Sequence, residues 1–266
     1  MRNCPVIDFH VHPFDRAEYN LNMYPGMYDL DAEEMKKQIE EAGITHICGS
    51  VLNREYGAEG FEGLRLLNRE ALRLEEILGD FYTPGFHVHP AYVRESCDEI
   101  AFMHGRGIRL IGELVPYMHG WGDFEEKNWM EILDAAEQYH MICSYHTPFD
   151  YDMGRMVESH PGITFVAAHP GDRGRVHEHV EILKKYPNLC LDLSGTGLFR
   201  FGMLKYLVEK VGAERLLFGT DYPICNPRMY VQAVWGEEIG ERDRENIFYG
   251  NAARLLSLIT KTDLKT

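Results

Sequence analysis

Two histidines stand two residues apart, His10 and His12, inside the apolar run Val6-Ile7-Asp8-Phe9-His10-Val11-His12-Pro13. Alternate side chains of a strand share one face, so both imidazoles point the same way at the strand's C-terminal edge and form half a metal site. Four more residues of that chemistry each close a later apolar run. They are Glu113 in Ile111-Gly112-Glu113, His146 in Ser144-Tyr145-His146-Thr147, His169 in Ala167-Ala168-His169-Pro170, and Asp221 in Gly219-Thr220-Asp221-Tyr222-Pro223. Imidazole and carboxylate donors suit zinc, iron, nickel or manganese, and this many donors in one place could hold two ions bridged by a hydroxide.

The elements that must bring these residues together recur roughly every thirty residues, a short apolar run followed by a helical pattern, as in parallel βα units. Eight strands are expected, at 6–12, 45–52, 82–89, 108–115, 141–147, 163–169, 189–194 and 216–221. Helices are expected at 31–42, 63–78, 98–104, 128–139, 151–159, 175–185, 203–211 and 243–260. Eight such units fit a closed (β/α)8 TIM barrel, a single domain over 1–266, better than an open doubly wound sheet, and no Gly-x-Gly-x-x-Gly follows the first strand. Three connections, 14–30 (with Tyr19, Tyr24 and Tyr28), 116–127 (with Tyr117, His119 and Trp121) and 222–230 (with Asn226 and Arg228), exceed what a barrel needs. All three follow a strand and so fall on the catalytic face.

Composition narrows the class. The 266 residues are 45% hydrophobic and 26% charged with a formal net charge of -15, a globular balance without a Lys/Arg run. Nucleic acid and anionic membrane both require concentrated positive charge, so neither is an expected partner. No apolar segment is long enough for a bilayer, and Met1-Arg2-Asn3-Cys4-Pro5 leads into a strand broken by Asp8 and His10 rather than a signal-peptide core. Six cysteines (Cys4, Cys48, Cys97, Cys143, Cys190, Cys225) lie scattered without a C-x-x-C and are expected as free thiols in a cytoplasmic protein. Homo-oligomerisation is left open.

The order His-x-His, Glu, His, His, Asp over eight βα units resembles the amidohydrolase superfamily. Val166-Ala167-Ala168-His169-Pro170-Gly171, Phe218-Gly219-Thr220-Asp221-Tyr222-Pro223 and Tyr249-Gly250-Asn251-Ala252-Ala253-Arg254-Leu255-Leu256 resemble its amidohydrolase-related branch, which holds lactonases as well as non-oxidative decarboxylases. The resemblance implies His10, His12 and Asp221 as ligands of a first, more buried metal. It implies His146 and His169 as ligands of a second ion or, in a one-metal version, as a ligand and a catalytic histidine. Many one-metal decarboxylases of the branch lack an acidic ligand on strand four, whereas two-metal relatives such as the TatD-like hydrolases resemble this chain in carrying a bridging Glu there. Glu113 therefore favours two divalent ions, zinc ahead of manganese, iron or nickel. A metal-activated hydroxide would attack an ester, lactone or amide of a small carboxylated substrate, with Asp221 moving the proton and His169 or the second ion polarising the carbonyl. The alternative is a one-metal decarboxylase on the same residues.

Other residues carry weaker expectations. A second Phe-His-Val-His-Pro at Phe86–Pro90 ends strand three, and His87 and His89 are expected to pack under the mouth or touch substrate rather than bind metal. Substrate contacts are expected from Tyr24, Tyr117, His119, Trp121, Arg200 and Tyr222. Arg200 is favoured over Arg173 for a substrate carboxylate because a guanidinium matches it bidentately. Period-two alternation puts Asp8 beside His10 and Arg109 on the side of Glu113, which predicts a buried Asp8–Arg109 pair and ties the inward direction of Glu113 to that of Arg109.

Overall fold

A computed structural model describes residues 4–21, 24, 30–57, 59–122, 124, 128–146 and 150–257. The expected Tyr28, Thr147, Lys127 and the end of the last helix at Thr260 lie outside the described residues. Eight parallel strands follow one another in chain order: β1 (Ile7–Asp8), β2 (His46–Gly49), β3 (Tyr82–Phe86), β4 (Leu110–Leu114), β5 (Ile142–Tyr145), β6 (Thr164–Ala167), β7 (Leu189–Asp192) and β8 (Leu216–Leu217). Each coincides with an expected run but is shorter, since the chain leaves ladder geometry where the site begins. The seam between β8 and β1 is closed by backbone bonds from Phe9 N to Phe218 O (2.8 Å), from Asp221 N to His10 O (2.8 Å) and from His12 N to Tyr222 O (2.8 Å). The fold is thus the expected TIM barrel, and its closure places the histidine pair of the first unit against the aspartate of the last.

Helices pack outside by apolar faces legible in the sequence. The helix Ala32–Glu41 buries Ala32, Met35 and Ile39 and starts at a capping box between Asp31 and Glu34. The helix Phe61–Leu78 buries Leu64, Leu67, Ala71, Leu74 and Leu78, the spacing of one helical stripe. One expectation needs correction. Part of the presumed loop 222–230 is the start of a helix, Pro227–Gly236, whose N-cap Asn226 accepts from Arg228 N and Met229 N with proline at the first turn. The Asn-Pro pair is a helix start rather than a loop. The expected last helix is present from Glu241 to Leu255 as continuous helical backbone, with a π-turn at Asn246–Gly250 inside it. That turn lets Asn251 Nδ2 reach Ala213 O (2.7 Å) and Leu216 O (2.9 Å), clamping the start of β8, while Ala252 and Ala253 pack with Ile7, Phe9 and Leu217.

The Asp8–Arg109 pair does not form. Arg109 turns outward and donates from Nε and Nη2 to His140 O (3.1 and 2.6 Å). Asp8 instead accepts from Thr220 N (3.0 Å), Thr220 Oγ1 (2.5 Å) and His10 N (3.2 Å), a second clasp across the seam. Glu113 nevertheless points inward. Register slips between Ile111 and Leu114, and Gly112 at φ +93° is passed by Ser144 O so closely that a Cβ would lie 2.2 Å from it. The slip breaks the alternation that linked Arg109 to Glu113.

All six cysteines are free, and no helix among the described residues is long and apolar enough to cross a membrane.

Candidate metal centre

The barrel mouth brings four of the six expected ligands around a fifth, the Glu113 carboxylate. Glu113 Oε2 lies 3.4 Å from Nε2 of both His10 and His12, while its Oε1 lies 3.2 Å from His146 Nδ1 and 3.5 Å from His169 Nε2. The sixth, Asp221, closes the first side with Oδ1 at 3.7 Å from His10 Nε2 and 3.5 Å from His12 Nε2. Donor atoms about 2.1 Å from a shared ion at tetrahedral angles stand roughly 3.4 Å apart, so this spacing suits a common cation. Two overlapping donor groups result, His10–His12–Asp221 and His10–Glu113–His169. His10 Nε2 is buried and makes no hydrogen bond, as expected of a nitrogen kept for a metal.

The outer nitrogens of the ligands are occupied. His10 Nδ1 lies 3.0 Å from Asp192 Oδ2, His12 Nδ1 lies 3.1 Å from Ser50 O, and His169 Nδ1 lies 3.0 Å from Ser194 Oγ. Such partners orient a metal-binding imidazole and choose its tautomer. Asp192 is a residue that sequence reasoning passed over. Its signal was a carboxylate within the otherwise apolar Leu189-Cys190-Leu191-Asp192-Leu193.

The electrostatics call for positive charge. Burial opposes protonation of His10, yet Glu113 and Asp192 outweigh it and raise its pKa well above the usual range. Burial is likewise overcome at His12, which Asp221 and Glu113 lift to about 9. Glu113, despite burial, is held well below the ordinary carboxylate range by His10, His12 and His146. The carboxylates thus favour positive charge among these nitrogens, and a bound ion would supply it in place of protons.

Backbone shape singles out the two residues expected to be catalytic. Only four non-glycine residues among the described ones have positive φ, and two are His169 (φ 63°) and Asp221 (φ 67°). Each costs on the order of 1–3 kcal/mol, which the surrounding fold must supply. His179 contributes by holding His169 O, its Nε2 at 3.1 Å.

The remaining expected contacts divide. Tyr117 is 60% exposed and stands edge-on to His146 with ring centroids 5.7 Å apart, at the rim of the cluster. Tyr24 and Tyr222 line a cavity of about 400 Å³ with Phe14, Gln38 and Arg228. Tyr222 is itself buried, its hydroxyl 3.0 Å from Gln38 Oε1. Arg200 extends to Gly171 O (2.8 Å), outside the donor cluster. His119 is buried against His87, ring centroids 4.5 Å apart, and Trp121 packs on Phe124 and Trp129. The second His-x-His stays out of the donor groups, because His87 Nε2 is spent on Val51 O (2.8 Å) and His89 Nε2 on His119 O (3.2 Å).

Comparison with known proteins follows the same lines. The family model described as amidohydrolase matches residues 7–258. No curated protein sequence matches the chain. A 2,6-dihydroxybenzoate decarboxylase from Rhizobium superposes with a TM-score of 0.74 at 16% identity, covering 96% of this chain and 99% of that one. A dihydroxybenzoic acid decarboxylase from Polaromonas, with bound manganese and the inhibitor 2-nitroresorcinol, gives 0.72 at 15% identity over 98% and 99%. A Pseudomonas putida protein assigned as a 2-pyrone-4,6-dicarboxylic acid hydrolase gives 0.70 at 18% identity over 98% and 100%. At these identities the likeness establishes the fold alone.

Proposed function

Because the chain belongs to the amidohydrolase family, we propose that it is a metal-dependent hydrolase acting on an ester, lactone or amide bond of a small carboxylated substrate. The observation that carries this reading is the placement of Glu113, one carboxylate with one oxygen toward His10 and His12 and the other toward His146 and His169. His10, His12 and Asp221 would hold one divalent ion, His146 and His169 a second, with Glu113 shared. Bound there, the ions supply Lewis acidity to a carbonyl oxygen and bring the pKa of a coordinated water down to about 7.

The protein's own groups do the rest. Asp221, aimed by its left-handed backbone and 8% exposed, takes a proton at its carboxylate and returns it to the leaving group. His169, whose pKa burial lowers against the pull of Glu113, stays neutral and keeps Nε2 directed into the cleft. Tyr117 stands edge-on to His146 at one rim, where a substrate would pass it.

Non-oxidative decarboxylation on the same residues is the second reading, supported by the decarboxylases among the similar structures. In that reaction the carbon–carboxyl bond breaks, carbon dioxide leaves, and a proton passed from His169 or Asp221 takes its place on the substrate carbon.

The two separate on one panel. The protein purified without chelator is incubated with lactones, esters and amides of aromatic and muconate-like acids, and with carboxylated phenols, while acid and carbon dioxide release are followed in parallel. Hydrolysis releases acid without carbon dioxide, and Asp221→Asn abolishes it. Carbon dioxide release from the phenols, likewise abolished in Asp221→Asn, would replace the hydrolase reading with the lyase one.

A further inference from the structure

We propose that Asp192 and Ser194 form a tautomer relay, in which one buried carboxylate on β7 commits both His10 and His169 to protonation at Nδ1 and so aims both Nε2 lone pairs into the cleft. The inference rests on the proposed metal site only in giving those lone pairs a task. Asp192 is fully buried, with Oδ2 3.0 Å from His10 Nδ1 and Oδ1 accepting from Ser194 N at 2.9 Å and from the Ser194 hydroxyl.

Donor arithmetic then leaves one arrangement. An ionised carboxylate only accepts, so His10 Nδ1 must donate to Asp192, and the serine hydroxyl must spend its single proton there as well. Ser194 Oγ retains only lone pairs, and His169 Nδ1, 3.0 Å away, must be the donor to it. A neutral imidazole protonated at Nδ1 carries its lone pair at Nε2, the form His10 takes once an ion displaces its second proton. In His10 that atom lies 3.4 Å from Glu113 Oε2, and in His169 3.5 Å from Glu113 Oε1. Two glycines leave the space these residues occupy. A Cβ on Gly195, at φ +58°, would lie 2.4 Å from His169 Nδ1, and one on Gly219 would lie 2.9 Å from His10 Cβ and 3.0 Å from Ser194 Cβ.

The relay makes Asp192 and Ser194 positioning residues, joining a ligand from the first strand's edge to the proton-handling histidine after the sixth. His12 lies outside it, its Nδ1 turned to Ser50 O.

The test is a long-range proton–nitrogen NMR spectrum of protein labelled with ¹⁵N-histidine, recorded zinc-free and zinc-loaded, with signals assigned by His10→Gln and His169→Gln. His169 is expected as the Nδ1-protonated form in both states. Ser194→Ala is expected to convert it to a mixture with the Nε2-protonated form, while the His12 signals stay in place. Asp192→Asn is expected to weaken zinc binding by roughly 10–100-fold, the usual effect of removing a ligand's hydrogen-bond partner. An Nε2-protonated His169 in the wild type, or a tautomer indifferent to Ser194→Ala, would overturn the relay. The wild-type spectrum decides the point even where a variant does not fold. Failure to bind zinc would refute the metal reading, whereas the zinc-free spectrum tests the relay by itself.

Discussion

Replacing Glu113 by Gln removes one negative charge from the centre of the site while keeping its size. The carboxylate faces four imidazoles, its oxygens 3.2–3.5 Å from a nitrogen of each. A pair of unit charges about 4 Å apart at an effective dielectric near 20 interacts by about 4 kcal/mol. Counting a single such unit per ion, binding at the side that depends more on Glu113 weakens by about a thousandfold. That side is the one built on His146 and His169, because the other retains His10, His12 and Asp221. Elemental analysis of metal per chain, on protein purified without chelator, is expected to give two ions in the wild type and one in Glu113→Gln. Zinc titration against a competing chelator should show the thousandfold loss releasing the second ion while the first, held also by Asp221, stays bound. One ion in both proteins with unchanged affinity would place Glu113 outside the ligand set, and the substrate search would then turn to carboxylated phenols.

Three other perturbations follow from the geometry. Gly195→Ala puts a methyl where the His169 ring lies and strains a residue at φ +58°, so turnover should fall by at least about a hundredfold with the circular dichroism spectrum unchanged; retained turnover would mean the ring is free to move. Asn251→Ala removes two buried hydrogen bonds to carbonyls at the start of β8, of which Ala213 O keeps Leu216 N as a donor, and should cost about 1–3 kcal/mol in urea unfolding, a loss below about 0.5 kcal/mol showing the clamp to be dispensable. His87 is fully buried and burial lowers its pKa from 6.5 to about 4, so the unfolded chain takes up a proton there before the folded one does. Its contribution is complete above about pH 6.5 and is lost as pH falls toward 4, on the order of 3 kcal/mol by linkage. The unfolding free energy of His87→Gln should therefore depend less steeply on pH across that window, and identical slopes would contradict a neutral buried histidine.

Much of this protein is readable from residue order because barrel physics is local and repetitive. Apolar runs such as Phe165–Ala167 or Leu189–Leu191 can only be strands buried on both faces, and stripes such as Leu64, Leu67, Ala71, Leu74 and Leu78 can only be helix faces against them. Eight repeats of that unit oblige the polar strand ends to share one rim. The meeting of His10, His12, Glu113, His146, His169 and Asp221 therefore follows from their types and their positions at strand ends.

What failed depended on small departures from ideal periods. Arg109 and Glu113 are an even number of residues apart and should share a face, but a slip at Gly112 separated them, and no periodic reading can see a slip. Asn226-Pro227 opens a helix because its side chain caps Arg228 and Met229, a contact that requires the turn already to exist. His87 and His89 repeat the very sequence around His10 and His12, yet neighbouring carbonyls at Val51 and His119 consume their nitrogens. Which copy faces carboxylates is set by the closure of β8 on β1, hundreds of residues apart in the chain. By itself the sequence determined the barrel, the donor types and the rim they share, since these follow from burial and side-chain alternation. Tertiary structure alone decided the direction of Glu113, the left-handed turns at His169 and Asp221, and the pairing of Asp192 with His10, since each depends on where a distant backbone comes to rest.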